Sequence, residues 1–157
     1  MSEKLTLDEA REILKRAVEK SVEVQWISAY AVADEGGNII SISRLDGAPA
    51  AAVPLARSKA YLAALTGKTS MPFEHDVETH PARFHGYQNV LQRPLFGGPG
   101  AVPIVRNGKV IGGFSSSLSY GASGMQTMVD GRQFSREELV TAHALQIPYD
   151  DQHPDTP

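Results

Sequence analysis

Apolar residues near the N-terminus recur every three or four positions, which predicts an amphipathic helix over residues 7 to about 20. The apolar stripe consists of Leu7, Ala10, Ile13, Leu14, Ala17 and Val18. Thr6 stands just before this stripe, and Glu9 follows three residues later, which is the spacing of a reciprocal capping box. We therefore expect Thr6 to cap the N-terminus of the first helix.

The pattern then changes to β-branched and aromatic residues, which favour strands. This pattern covers residues 22–33, is interrupted by the turn-forming residues 34–38, and resumes at residues 39–42. These segments predict an antiparallel hairpin. An alanine-rich helix is predicted next, over residues 50–65, with Pro54 in its first turn, where a missing N–H costs nothing.

A second hairpin is centred on Asn107-Gly108, because both residues tolerate the positive φ that a tight hairpin turn needs. Its strands are predicted over residues 102–106 and 109–115. The stretch between the alanine-rich helix and this hairpin, residues 70–100, has no clear period and contains three of the five histidines. We treat it as an irregular segment that carries candidate chemistry.

The C-terminal part is predicted to contain a short helix that begins after Ser135. Ser135 and Glu138 repeat the capping-box spacing. No internal repeat or domain boundary is visible, so residues 1–149 are expected to form one domain. Residues 150–157 are expected to be a frayed tail or to lie against another subunit.

Composition excludes several classes of function. The chain of 157 residues contains no cysteine, so disulfides, thiolate metal sites and a thiol nucleophile are ruled out. Fifteen basic and eighteen acidic residues give a net charge of −3, and the basic residues form no stripe, so nucleic acid is not an expected partner. No apolar run approaches the roughly 18 residues of a membrane span, and we expect a cytoplasmic protein.

Several short segments, in this order and spacing, resemble the HbpS/GlcG-like family, which includes the C-terminal domain of PduO-type proteins. The segments are LTLDEA at 5–10, VADEGG at 32–37, RLDGA at 44–48, ARSKA at 56–60 and GAVPI at 100–104. The resemblance covers roughly residues 5–121. It implies an α/β (α+β) fold with a single antiparallel sheet of about five strands flanked by helices, a profilin- or PAS-like sandwich. It also implies a homo-oligomer with ligand sites near subunit interfaces, and heme binding in some relatives.

The sequence departs from the family pattern in two places. Residues 115–121 carry hydroxyls and a phenol in place of a glycine-rich segment, and the stretch before the glycine loop at residues 96–100 is rich in His, Glu and Arg. Both departures favour a polar pocket for a small anion over an apolar slot for a porphyrin. A solvated surface loop is the alternative interpretation of the second segment.

Acid–base catalysis is the chemistry that these side chains permit, because imidazole titrates near neutrality and carboxylates can orient it. The candidate catalytic residues are Glu74, His75, Glu78, His80, His85 and Tyr120. The candidate substrate-binding residues are Arg44, Arg83, Tyr87, Gly98 and Ser116. In this scheme the guanidinium of Arg83 holds a carboxylate, and the phenol of Tyr120 stabilises developing charge.

Metal binding and the lysine on the alanine-rich helix need separate consideration. The three clustered histidines are spaced by five residues, about 140° apart on a helix, so they share no helical face and no metal site is predicted, although a loop could still gather them. Lys59 lies on the alanine-rich helix, where a buried amine needs a partner. We expect that partner to be Asp46 or a neighbouring subunit.

The preferred hypothesis is a catabolic lyase or hydratase that acts without a cofactor on an aromatic or short organic acid, with hydroxylaminobenzoate lyase as one example. Its partner would be a small-molecule carboxylate. The first alternative is a module that binds heme or another tetrapyrrole without turnover. A purely structural oligomer subunit is the second alternative.

Overall fold

A computed structural model describes residues 3–117, 126–129 and 132–148, and this part of the chain contains five helices and six strands. In chain order the elements are α1 (Leu7–Val24), β1 (Ala29–Asp34), β2 (Ile39–Arg44), α2 (Ala52–Thr66), α3 (Met71–Thr79), α4 (Pro81–Leu91), β3 (Ala101–Arg106), β4 (Lys109–Ser116), β5 (Gln126–Val129), β6 (Arg132–Ser135) and α5 (Arg136–Leu145). None of the described helices is both long and apolar enough to cross a lipid bilayer.

Four strands form one antiparallel sheet in the order β2-β1-β4-β3, and β5 pairs with β6 in a separate two-stranded sheet. β1 lies in the middle of the larger sheet, where Val32 is opposite Ser41 of β2 and Phe114 of β4. The predicted α/β class with a helix-flanked antiparallel sheet is therefore confirmed. The sheet has four strands where about five were expected.

Helices cover both faces of this sheet because successive side chains of a strand point to opposite faces. Tyr30 and Val32 of β1 pack into a cluster with α1 and α5. The alternate alanines of β1, at positions 29, 31 and 33, pack against the alanine face of α2. A Cβ on Gly113 would lie 2.2 Å from the Ala60 carbonyl oxygen, so α2 rests directly on β4 at a residue without a side chain.

Local sequence signals located the helix caps and the second hairpin correctly. The side chains of Thr6 and Ser135 each accept a hydrogen bond from the backbone N–H three residues later, and both capping boxes are complete. Asn107 and Gly108 adopt φ angles of 50° and 74° in the β3–β4 turn.

Two predictions of secondary structure were wrong. The strand predicted over residues 22–33 begins only at Ala29, because α1 continues to Val24 and ends at Gln25 in the left-handed conformation. Burial of Ser21 in the last turns of α1 outweighs the strand preference of the two valines that follow it. The irregular stretch at residues 70–100 contains α3 and α4, whose few buried positions, such as Phe73 and Phe84, leave only a weak helical period.

Candidate functional site

A groove lies between α2 and the segment that follows α4. Its volume is about 550 Å³, which lies within the roughly 300–1,000 Å³ typical of small-molecule pockets. Its lining residues are Pro54, Leu55, Arg57, Ser58, Tyr61, Arg93, Pro94, Leu95 and Phe96. Most of these are apolar or aromatic, and the two arginines, both exposed, are the charged members of the set.

Ser58 of α2 holds the outer wall of the groove in place. Its hydroxyl accepts a hydrogen bond from the Phe96 backbone N–H at 2.9 Å and donates one to the Pro94 carbonyl at 3.2 Å. The Leu95 N–H donates to the side-chain oxygen of Gln88 on α4 at 3.1 Å. These three bonds shape a wall segment that has no regular secondary structure of its own.

Tyr61 forms part of the groove surface, with its ring held from two sides. The guanidinium carbon of Arg93 lies 4.4 Å from the ring centroid, a cation–π arrangement. Gly37, in the β1–β2 turn, has φ of 75°, and a Cβ there would lie 2.3 Å from the ring of Tyr61. Only glycine fits at this position, because of both its φ and its contact with the ring.

A buried ion pair lies deeper in the fold, next to the end of the groove wall. The Lys59 ammonium is 3.7 Å from Glu137 Oε1 of α5 and donates a hydrogen bond to the Pro99 carbonyl at 2.7 Å. Burial lowers the pKa of Lys59 and raises the pKa of Glu137, while the charge of each partner opposes both shifts. The prediction that Lys59 pairs with Asp46 or a neighbouring subunit was wrong, because α5, which packs against α1 on the other face of the main sheet, supplies the carboxylate of Glu137.

Buried hydroxyls extend this pair through the core. Ser116 lies 3.3 Å from Ser28, oxygen to oxygen, and its hydroxyl partly opposes the effect of burial on the pKa of Glu137. Tyr30 shares a short hydroxyl–hydroxyl contact with Ser21 of α1, and the nearby hydroxyls of Ser28 and Ser116 partly oppose the effect of burial on the pKa of its phenol. Burial raises the pKa of the Tyr30 phenol. These buried hydroxyls and the ion pair form a polar cluster inside the fold.

A second, more open groove of about 790 Å³ lies between the end of α1 and the end of β2. Its lining residues are Val18, Ser21, Val22, Gln25, Ile27, Ser43, Arg44, Leu45 and Asp46. Arg44, a predicted substrate-binding residue, therefore lines a groove that is separate from the one beside α2.

The other predicted site residues of the 70–100 segment lie on the exposed surfaces of α3 and α4. The exposed members are Glu74, His75, Glu78, His80, Arg83, His85 and Tyr87. Asp76 accepts a hydrogen bond from Arg83 and lies 4.0 Å from the His80 Nδ1. None of these residues lines either groove, and no group of three metal-binding side chains occurs among the described residues. Their catalytic and binding roles stay predictions.

Gly98 and Ser116 are both buried. Gly98 lies beside the ring of Phe96, and a Cβ there would come within 2.7 Å of that ring. Ser116 is fully buried, where its hydroxyl accepts a hydrogen bond from Trp26 and lies beside Ser28, and it lines neither groove. Tyr120 lies outside the described residues.

Sequence reasoning missed Tyr61, Arg93 and Glu137. Tyr61 and Arg93 are 32 positions apart, and Lys59 and Glu137 are 78 apart, so no local spacing relates them. The one available signal was a lysine among alanines in a predicted buried helix, which requires a distant acidic partner.

The fold and the groove define an α/β protein with one main antiparallel sheet and a concave surface beside its alanine-rich helix. Residues 5–132 match the family model described as haem degrading protein HbpS-like. The chain belongs to this HbpS-like family, which confirms the resemblance found in its sequence.

Curated relatives agree with this assignment. GlcG from Escherichia coli (strain K12) is 30% identical over 104 residues, which cover 66% of this chain and 73% of GlcG. A 15.0 kDa protein from the dhaT-dhaS intergenic region of Citrobacter freundii is 28% identical over 108 residues, or 69% of this chain and 75% of the relative.

Solved structures share the fold. Protein ORFY from Klebsiella pneumoniae superposes with a TM-score of 0.71 at 22% identity, over 93% of this chain and 91% of ORFY. A PduOC:heme complex gives 0.69 at 19% identity, over 91% and 94% of the two chains. A double mutant of HbpS from Streptomyces reticuli also gives 0.69 at 19% identity, over 93% and 88%.

Proposed function

We propose that this protein binds heme or a related tetrapyrrole carboxylate in the groove beside α2. The observation that carries the proposal is a largely apolar groove with two exposed guanidinium groups, those of Arg57 and Arg93. Neither guanidinium forms an ion pair with another described residue. Two guanidinium groups that lack an ion-pair partner among the described residues, next to an apolar surface, are complementary to a planar apolar molecule that carries two carboxylates.

The residues of the groove meet the main requirements of a heme site. Leu55, Leu95 and Phe96 offer apolar surface for the macrocycle, and the guanidiniums offer bidentate partners for the propionates. Tyr61 offers an oxygen of the kind that can bind heme iron. Heme, when bound, would supply a redox-active iron, and the chain would supply binding, orientation and exclusion of water.

The comparisons support heme more than the acid–base reaction that the sequence favoured. The family carries a heme-related description, and one structure with the same fold was solved as a heme complex. The His- and Glu-rich stretch that argued for a polar pocket faces outward from α3 and α4 and does not line the groove.

Hemin titration tests this proposal directly. We expect a stoichiometric Soret shift with the wild-type chain, and roughly tenfold or greater weakening in the Arg57→Gln/Arg93→Gln double variant, because charge-assisted bonds to two carboxylates are lost. Arg44→Gln is the matched control, since Arg44 is an exposed arginine in the other groove. The proposal fails if wild type shows no shift, or if the control weakens hemin binding as much as the double variant does.

Iron-free protoporphyrin separates the contribution of the groove from that of the metal. If the apolar walls and guanidiniums bind the macrocycle, protoporphyrin IX should bind measurably and should respond to the same double arginine variant. Binding of hemin without any binding of protoporphyrin would contradict a groove that recognises the macrocycle and its carboxylates.

A lyase or hydratase that acts on an aromatic acid is the second candidate. It is favoured by the same guanidiniums, which also match a single benzoate carboxylate next to aromatic side chains such as Phe96. A thermal-shift screen over benzoates and hydroxy acids, followed by product analysis with 4-hydroxylaminobenzoate, tests this candidate. Turnover that hemin inhibits would favour it over simple heme binding, whereas the absence of both a benzoate-induced shift and product would remove it.

A further inference from the structure

The described residues that line the α2 groove include one side chain of a type that ligates heme iron in proteins. Histidine, cysteine, methionine and tyrosine are the usual axial ligands. The groove is lined by prolines, leucines, arginines, a serine, a phenylalanine and Tyr61. The hydroxyl of Ser58 is already used twice, since it accepts from Phe96 and donates to Pro94.

The surroundings of Tyr61 suit a ligand held in one orientation. The residue is 6% exposed, and its ring lies between Gly37 and the guanidinium of Arg93. The guanidinium carbon of Arg93 lies 4.4 Å from the ring centroid, a cation–π contact that helps to hold the ring in one position. The described residues form no hydrogen bond with the Tyr61 hydroxyl, so no such bond competes with metal binding there. The buried hydroxyl of Tyr30, by contrast, already contacts Ser21.

His85 is connected to the groove wall through hydrogen bonds of Gln88, but it lies outside the groove. His85 Nδ1 lies 3.2 Å from the side-chain nitrogen of Gln88, and the oxygen of the same amide accepts from the Leu95 N–H. His85 is therefore separated from the wall by a complete glutamine side chain, and its own side chain is exposed on α4. His75 and His80 are exposed on the same pair of helices and line neither groove.

We propose that the phenol oxygen of Tyr61 is the axial ligand of ferric heme in the groove beside α2. This inference rests on the proposed heme-binding function. Binding is a ligand exchange in which the phenol gives its proton to solvent, its oxygen replaces water or hydroxide on the iron, and the iron stays ferric. Arg93 then has two tasks, since it faces both the ring of Tyr61 and the groove where a propionate would lie.

Spectroscopy of the hemin-loaded protein tests this assignment. The wild-type complex should show the phenolate-to-iron charge-transfer absorption and the iron–phenolate vibrations in resonance Raman spectra. Tyr61→Phe should lose both signatures and bind hemin at least roughly tenfold more weakly. Tyr61→His should replace them with an imidazole-ligated spectrum. Val105→Ala, at an exposed residue of β3 that lines neither groove, is the control and should keep the wild-type spectrum.

The outcomes separate failure of this inference from failure of the proposed function. If the double arginine variant weakens hemin binding but Tyr61→Phe keeps the wild-type spectrum, the ligand assignment alone is overturned. A loss of the wild-type spectrum in His85→Ala would also overturn it. If wild type binds no hemin, the function itself fails. Because Tyr61 is buried, circular dichroism should accompany each variant, and the wild-type Raman spectrum decides the assignment even if Tyr61→Phe does not fold.

Discussion

The ammonium of Lys59 on α2 lies 3.7 Å from Glu137 Oε1 on α5, and both side chains are buried. The pair joins two helices on opposite faces of the main sheet. The same ammonium donates to the Pro99 carbonyl, just beyond the groove wall that neighbouring Ser58 holds. Packing of the C-terminal helix is therefore connected to the shape of the groove through consecutive residues of α2.

Substitutions in this ion pair should show strong coupling. Lys59→Met or Glu137→Leu alone should lower the free energy of unfolding by about 3–5 kcal/mol, because each leaves an uncompensated buried charge. The double variant should be much closer to wild type, since no charge is then buried. Urea denaturation of the four proteins provides the double-mutant cycle. Additive losses would contradict a direct interaction between the two side chains.

A side chain at Gly100 should clash with the Lys59–Glu137 ion pair. A comparison with Gly108 separates this clash from the cost of a positive φ. Its φ is 102°, and a Cβ there would lie 2.0 Å from Glu137 Oε1 and 2.8 Å from the Lys59 ammonium. At Gly108, φ is 74° and nothing lies within 4 Å of the Cβ position, so a substitution there is destabilising only through the backbone conformation. Gly108→Ala should cost about 1–2 kcal/mol and Gly100→Ala about 1–3 kcal/mol more, measured by thermal or urea unfolding. Equal losses would mean that the ion pair relaxes away from residue 100.

Ser58→Ala should affect the groove more than the fold. The variant leaves the Phe96 N–H without its acceptor, so the wall segment should lose its defined position and hemin should bind several-fold more weakly. Stability should fall by only about 1 kcal/mol. Ser41→Ala, on β2 and away from both α2 and the groove, is the control. A hemin affinity that is the same in all three proteins would show that the Ser58 hydroxyl does not position the wall.

Tyr30 should make the protein less stable at alkaline pH. Because burial raises the pKa of this phenol above its ordinary value of 10.0, the unfolded chain loses the proton first as pH rises. The stabilisation is therefore fully present below about pH 10 and declines above it. Melting temperatures from pH 8 to 11.5 should fall less steeply for Tyr30→Phe than for wild type. The exposed Tyr87→Phe variant is the matched control for loss of a phenol. If both variants reduce the pH dependence of the melting temperature equally, the effect does not come from Tyr30.

A homo-oligomer stays a prediction that solution mass can test. The outer strands of the main sheet, β2 and β3, each pair on one side only among the described strands. Such edges and the exposed Val22 and Val90 are surfaces that another copy could cover. Light scattering behind size exclusion should give a multiple of 16.9 kDa. A monomer at micromolar concentration would contradict the expectation.

Interactions between residues close in the sequence could be predicted, whereas interactions between distant residues could not. Thr6 with Glu9, Ser135 with Glu138, and the Asn107-Gly108 turn act over three or four positions, so they could be predicted. The boundary between α1 and β1 could not, because burial of Ser21 beside Tyr30 decided it. The histidines of α3 and α4 were predicted as site residues because three of them lie close together in the sequence. The groove is lined by other residues.

Sequence alone determined the fold class, the family, the capped helices and the exclusion of thiolate chemistry, because each is encoded in composition or in local spacing. Only the tertiary structure decided that Lys59 meets Glu137 and that Tyr61 lies under Arg93. Those contacts depend on how α2, α5 and the wall segment pack around one sheet. Packing is a property of distant surfaces brought together, and no short-range pattern encodes it.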